Sequence, residues 1–441
     1  MSNDPQVMHK VWSSRVQLVG VDIVGNERTK GWVIRRAARP VYAARTTGRL
    51  LHELEGTKQR LQALGIFESV EIFVDTFDEP APHPSDEPER LVLRISVTEK
   101  GCITLNTGAD INAENSEGTA HASYGLRNYF GGAERIDLRT SMGTGSSNNF
   151  TLNCHQPTVL DTDVDLRGSA SRAATRNPSS SYDLTETAAS VSLDFPAMLM
   201  AAPGSLTAEL SLREMSAAQY ASAAIREHTK LPFGHHTKAS LTASLNHDSR
   251  DSPMAPTTGW SGNVSVCGSL CDYVASKHFV KPTASLQMNR NLPLLGLTLS
   301  SSLHCGGIFM PLAQGRNVGY IRVCDRFFLG SERVRGFQNQ GLGPRDEHTA
   351  VPRTKIDSAN SGGDDNDWTS MWGDALGGDL YGSGLIAVSG LLPQRKLASF
   401  GMRWHVFANC GTLVRPLRYR RLWDSLNLTC LSLVAIRTCA D

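Results

Sequence analysis

Residues 206–213 read Leu-Thr-Ala-Glu-Leu-Ser-Leu-Arg. In an extended chain successive side chains point to opposite faces. Leu206, Ala208, Leu210 and Leu212 therefore share one side, and Thr207, Glu209, Ser211 and Arg213 the other. The same alternation surrounds this stretch. Ala189, Val191, Leu193 and Phe195 oppose Ser190, Ser192 and Asp194, and Ile136, Leu138, Thr140 and Met142 oppose Arg135, Asp137, Arg139 and Ser141. Segments 239–246, 282–289, 295–300 and 402–409 repeat it. Strands of a soluble sandwich alternate too, but commonly run about 5–6 residues. Here many segments are longer, turn-rich stretches separate them, and charged residues stay on the second face. That pattern fits apolar-to-lipid, polar-to-lumen strands.

No stretch approaches the ~18–20 consecutive apolar residues of a spanning helix. In lipid, only helices and closed barrels satisfy every backbone polar group. The fold class expected is mainly β: a transmembrane antiparallel β-barrel over residues 101–414, with about fourteen recognisable strands and a long insertion at 331–377. Hydrophobic residues make up 40% of the chain, which suits a barrel that places apolar side chains at every second position. The 44 basic and 43 acidic residues leave a net charge of +1, so bulk charge favours no nucleic-acid partner.

Upstream, helical stripes replace the alternation. Residues 15–25 place Val19, Val21 and Ile23 on one face of a strand, and 29–38 read as a short helix stopped by Pro40. Over 46–64, Leu50, Leu51, Leu54, Leu61 and Leu64 form one helical stripe, with Gly65 as its cap. Val70, Ile72 and Val74, then Leu91, Leu93, Ile95 and Val97, give two further strands either side of an acidic, proline-containing loop at 78–89. The order is β-α-α-β-β over residues 15–100, behind a polar tail at 1–14. That tail has no apolar core and no small-residue cleavage site, so the chain is expected to start in the cytosol without a secretory signal.

Nine scattered cysteines fit no disulfide framework. Cys267 and Cys271 lie four apart, which is not a zinc-knuckle spacing, so no metal and no cofactor are expected. The acidic run 357–367 lacks EF-hand spacing. No P-loop, H-E-x-x-H or G-x-S-x-G occurs, so no catalytic residue is expected and the chain reads as a non-enzyme. His235 and His236 read as surface residues of a turn.

The wording of two regions goes further. VDIVGNERTK, then RLQALGIF running into ESVEIFVDT, resembles a polypeptide-transport-associated (POTRA) domain across residues 16–99. The stretch 325–345, DRFFLGSERVRGFQNQGLGPR, embeds a Val-Arg-Gly-Phe that resembles the loop-six signature of the POTRA-plus-barrel superfamily, also called the bacterial surface antigen family. NYFGGAE at 128–134, DSRDSPMAPTTG at 248–259 and WHVFANCGTLV at 404–414 are similar to its mitochondrial branch, the core subunits of the sorting and assembly machinery (SAM).

This resemblance implies folding and insertion of unfolded β-barrel precursors into the mitochondrial outer membrane, beside membrane lipids and accessory SAM subunits. It implies that Val334, Arg335, Gly336 and Phe337 dock in the lumen, with Asp379 and Asn409 as candidate wall partners. Arg335, with its planar fork of donors, is expected to find a carboxylate there. The opening strand, with Cys102, Ile103, Thr104, Leu105, Asn106, Thr107 and Gly108, is implied to form a lateral gate where a precursor strand is templated. The alternative reading is an outer-membrane polypeptide or solute transport pore of the same superfamily. The family pattern closes with about sixteen strands, whereas residues 415–441 offer Pro416 and the arginines 415, 418, 420 and 421. That tail is expected to be poor lipid-facing material and to leave a normal barrel unclosed.

Overall fold

A computed structural model of the chain describes residues 12, 14–76, 89–112, 117–144, 148–159, 163–199, 202–229, 235–271, 278–293, 296–310, 321–349, 373–392, 403–415, 431–433 and 437–439. The expectations for the tail at 1–11, the loop 78–88, the acidic run and residues 416–430 lie outside these.

Near the N-terminus, β1 (Val16–Val24), α1 (Gly31–Ala37), a 3-10 turn (Arg39–Ala43), α2 (Thr47–Ala63), β2 (Phe67–Thr76) and β3 (Glu89–Glu99) form a small module. Its sheet runs β1-β3-β2, with β1 parallel and β2 antiparallel to β3. Leu93 and Ile95 of β3 are fully buried, against Ile34 of α1 and Leu61 of α2.

Three details differ from the sequence reading. The β1–β3 register shifts between Leu18 and Gly20, and the bulge turns Val19 outward to 48% exposure. Leu51 lies off the α2 stripe, 49% exposed, and Thr57 completes the buried row Leu50, Leu54, Leu61. Helix α1 starts at Gly31 rather than Thr29, because the Thr29 hydroxyl binds Glu99 and does not cap the helix.

The second sheet contains β4 (Ile103–Asn112), β5 (Glu117–Arg127), β6 (Arg135–Gly143), β7 (Asn148–Val159), β8 (Val164–Asn177), β9 (Tyr182–Leu199), β10 (Ala202–Ala217), β11 (His235–Asp248), β12 (Gly259–Cys271), β13 (Phe279–Leu292) and β14 (Leu297–Gly307). A two-residue pair follows, β15 (Arg345–Asp346) and β16 (Asp374–Ala375), then β17 (Leu380–Leu391) and β18 (Arg403–Val414). Strands neighbour each other in sequence order from β4 to β14, then β17 and β18, which gives thirteen long strands among the described residues, where about fourteen were expected in the chain. From the tail, β19 (Leu431–Leu433) and β20 (Arg437–Cys439) pair with β18 over three residues each. Among the described residues no helix is long and apolar enough to cross a membrane.

The two faces of this sheet are solvated in inverted order. On β10, Leu210 and Leu212 are 54% and 57% exposed, while Ser211 and Arg213 between them are 0% and 9% exposed. Leu241, Val264, Leu270, Leu303 and Ile386 continue the exposed apolar face across neighbouring strands. On the opposite face, hydroxyls pair across the ladder: Ser192 with Thr207 at 2.8 Å, Ser205 with Ser244 at 2.7 Å, Ser265 with Thr283 at 2.7 Å. A sheet with apolar side chains outward and polar ones covered is built for lipid.

Candidate functional site

The covered polar face of β9 to β13 gathers charge. Arg213 follows exposed Leu212, so the period of two turns it to the covered side, directly opposite Glu186 of β9. Its Nε donates to Glu186 Oε1 at 2.6 Å, and its Nη1 to Asp325 Oδ1 at 2.8 Å. Lys238 of β11 donates to the same Oδ1 at 2.8 Å, and Lys281 of β13 to the Asp325 carbonyl at 2.9 Å. Asp325 closes a 3-10 turn (Val323–Asp325) in the connection between β14 and β15 and is 4% exposed. Burial alone would raise its carboxyl pKa, but Lys238 and Arg213 hold it below the usual carboxylate range. The neighbouring Cys324 thiol is pushed up to about 12 by burial and by the Asp325 charge.

Next in chain, Arg326 donates from Nη1 to the Leu376 carbonyl and from Nη2 to the Ile321 carbonyl, both at 3.0 Å. Its Nε lies 3.8 Å from Asp379 Oδ1. The structure thus places Asp379 against Arg326. His236 sits within β11, 2% exposed, with its Nδ1 2.7 Å from Arg322 Nη1. This corrects the surface-turn reading: β11 begins at His235, and the alternation carries His236 to the covered face with Lys238.

Of the four docking residues, Val334 is the buried one, at 0% exposure, packed with Leu329, Tyr381 and Leu413. It sits against Gly411 of β18, where an added Cβ would lie 2.5 Å from Val334 Cγ2 and 3.0 Å from Leu329 Cδ2. Only glycine leaves room for that contact. Gly336 has φ of +94°, and Phe337 packs at the edge of the same cluster. Arg335 is exposed; its guanidinium lies 4.9 Å from the Phe407 ring centroid, and its carbonyl accepts a 3.0 Å hydrogen bond from Asn409 Nδ2. Arg333 lies 4.8 Å from the Tyr381 centroid in the same manner. Arg335 thus meets β18 from an exposed position, whereas Asp325, ten residues earlier, is buried.

The opening segment is anchored at its root. Cys102 accepts through its carbonyl from Arg127 N at 2.7 Å. Thr104 Oγ1 donates to the Gly125 carbonyl at 3.3 Å, and an added Cβ at Gly108 would meet the His121 ring at 2.5 Å. Ile103 and Leu105 are 58% and 69% exposed, and Asn106 and Thr107 are exposed with them. Among the described residues, the long strand hydrogen-bonded to β4 is β5 alone.

Sequence reasoning passed over Asp325, Arg213, Lys238 and Glu186. The signals available were two cations on polar strand faces and an aspartate opening the DRFF segment. Nothing in their spacing joins them, since 112 residues separate Arg213 from Asp325.

The model of the Omp85 superfamily domain matches residues 128–423. Sorting and assembly machinery component 50 homolog A of Xenopus laevis is 27% identical over 417 residues, covering 93% of this chain and 79% of that protein. A SAM50-like protein of Schizosaccharomyces pombe is 26% identical over 415 residues, covering 90% and 77%. Among solved structures, BamA from Haemophilus ducreyi lacking POTRA domains 1–3 superposes with a TM-score of 0.69 at 16% identity, covering 91% of this chain and 72% of that one. That likeness is one of fold: a BamA-like outer-membrane β-barrel.

Proposed function

Because this chain belongs to the Omp85 superfamily, we propose that it folds β-barrel precursor proteins and inserts them into the mitochondrial outer membrane. It works there as the membrane-embedded part of an assembly machinery, with other subunits and with unfolded precursors as partners. The observation that carries the mechanism is the edge of β4: among the described residues β4 is hydrogen-bonded to β5 alone, and it carries the exposed side chains of Ile103 and Leu105. An unpaired edge is a template for another strand. A precursor's terminal strand pairs there, and later hairpins add to it.

The driving force is backbone hydrogen bonding out of competition with water, together with burial of the precursor's apolar face in lipid. No covalent bond of the precursor is made or broken, so the reading needs neither a nucleotide nor a catalytic residue. The segment tied at Asp325 and Val334 gives Arg213 and Lys238 of the wall a buried carboxylate partner. A photo-crosslinking residue at position 105 or 106, with a porin precursor arrested during import, tests the mechanism. Adducts to the precursor's last strand are expected from β4. Adducts confined to positions on the covered face of β13 or β14 would contradict templating at this edge.

A further inference from the structure

The module's β1–α1 loop and the β5–β6 turn carry a buried polar chain that plays no part in the tie at Asp325. All its members lie within one compact unit of the protein. Thr29 is 2% exposed and Asn128 4% exposed, and the Glu99 side chain is 6% exposed. Ala133 N donates to Asn128 Oδ1 at 2.9 Å, Asn128 Nδ2 to Thr29 Oγ1 at 2.8 Å, and Thr29 Oγ1 to Glu99 Oε1 at 2.6 Å. Every proton in this chain points toward the carboxylate. Glu99 also accepts from the backbone N–H groups of Arg28, at 3.1 Å, and Thr29, at 2.7 Å. These bonds, that of the Thr29 hydroxyl first, outweigh burial and hold its pKa below the ordinary glutamate value.

The surrounding backbone leaves no slack. Lys30 N donates to the Gly131 carbonyl at 2.9 Å, and a Cβ at Gly131 would lie 2.3 Å from the Arg28 carbonyl oxygen. Asn128 and Ala133 both hold positive φ, at 52° and 63°, and Glu134 closes the turn by accepting from Gly132 N at 2.8 Å. Between Glu99 and the start of β4 at Ile103 lie only residues 100–102. These are pinned as well: Lys100 N donates to Ile66 O at 2.9 Å, Arg28 Nη2 to Lys100 O at 2.8 Å, and Arg127 N to Cys102 O at 2.7 Å.

We propose that Glu99, Thr29 and Asn128 are positioning residues, a one-way hydrogen-bond relay that locks the β1–α1 loop to the β5–β6 turn and so fixes the root of β4. The role in precursor assembly rests on the function proposed above; the lock itself does not. Buried and fully satisfied, the relay has one low-energy arrangement, and reversing any donor leaves two acceptors facing each other. Asn128→Asp does this: it tolerates the positive φ and keeps an oxygen for Ala133 N, but puts a second oxygen against Thr29. Thr29→Val removes the hydroxyl at nearly constant shape, and Thr29→Ser restores it.

The test uses the full chain in lipid, with spin labels carried by non-natural residues at exposed Gln59 of α2 and exposed Arg139 of β6. Pulsed electron spin resonance reads the distance between them, and porin precursor assembly is followed in parallel. Wild type and Thr29→Ser should give one narrow distance. Asn128→Asp and Thr29→Val should lose it to a broad distribution, with assembly slowed several-fold while the module's own fold, read by its amide spectrum, is kept. Narrow distances in all four proteins would overturn the lock. Broad distances with undiminished assembly would overturn the positioning role. A wild-type chain that assembles no precursor would instead defeat the functional reading, and the lock would then be decided by the widths alone.

Discussion

Strand β3 of the small module and strand β10 of the large sheet carry the same period of two with opposite sign. On β3 the apolar residues Leu93, Ile95 and Val97 are 0%, 0% and 4% exposed. On β10 the apolar Leu210 and Leu212 are more than half exposed, and the covered positions are Ser211 and Arg213. Alternation thus says that a strand has two unlike faces, and the surroundings decide which face is the inside. The module is built for water and the sheet for lipid. Each therefore has its own kind of core: packed hydrocarbon in one, a charged and hydroxylated network in the other.

The largest effect is expected where that second core is broken. Asp325→Ala strips the carboxylate from Arg213 and Lys238 and leaves covered cations without it. Removing one partner of a buried ion pair typically costs ~3–5 kcal/mol. The variant should lose the protease resistance of residues 321–349 and the heat stability of the membrane-embedded protein, while the module's amide exchange stays unchanged. Asp325→Glu, which keeps the charge, should recover part of both.

The comparison sharpens with a matched pair of leucines. Leu93→Ala opens a cavity in the module and should cost ~2–5 kcal/mol, read as a lower melting temperature of that module. Leu212→Ala removes only lipid-facing surface and should shift unfolding far less. Comparable losses from the two substitutions would mean that the exposed face of β10 packs against protein.

A pH effect of intermediate size is expected at His228 of α3 (Ala223–Thr229). The ring is 3% exposed, and its pKa is lowered to about 3 by burial, then by the charges of Arg326, Arg415 and Arg322. It is neutral when folded, and its Nδ1 accepts from Val323 N at 3.3 Å. Below pH 6.5, the ordinary histidine value, the unfolded chain takes up a proton that the folded chain refuses until about pH 3. This contribution is therefore complete above pH 6.5 and is lost as the pH falls through that window. In His228→Gln the slope of stability against pH between those limits should be shallower than in the wild type, as measured by denaturation in detergent micelles.

The smallest effect concerns two exposed arginines, Arg333 and Arg335. Arg333 and Arg335 each lie over one ring, Tyr381 and Phe407, in similar geometry. Cation–π contacts at exposed sites are worth ~0.5–1 kcal/mol. Arg333→Ala and Arg335→Ala should each shift stability by about that much. A loss at Arg335 several times that at Arg333 would show that Arg335 is held by more than the Phe407 ring.

How much of this was legible follows from the range of the interactions. The order β-α-α-β-β and the long alternating strands are local patterns, set by periods of 3.6 and 2, and the sequence displays them directly. Val19 misled because a bulge shifts the register by one residue and flips its side chain, and a bulge leaves no mark in the alternation itself. Thr29 read as the first residue of a helix because its partner, Glu99, lies 70 residues away in sequence. Val-Arg-Gly-Phe drew attention to its charge, whereas β18 is met by Val334 on Gly411, by the Arg335 carbonyl on Asn409 and by the Arg335 guanidinium over Phe407. Asp325, ahead of the insertion, meets cations on β10 and β11 that only the folded sheet brings together.

The central claim, that this chain templates and inserts barrel precursors without a chemical energy source, is tested most directly by reconstitution. The purified full-length protein is placed in vesicles of outer-membrane lipid composition and mixed with urea-unfolded porin precursor, with no nucleotide present. The measured quantity is the rate at which the precursor becomes heat-modifiable and protease-protected. The account predicts a rate well above that of protein-free vesicles, abolished when the β4 edge is blocked by proline at position 105, whose backbone N–H points away from β5. A rate equal to that of protein-free vesicles, or one unchanged by the blocked edge, would contradict it.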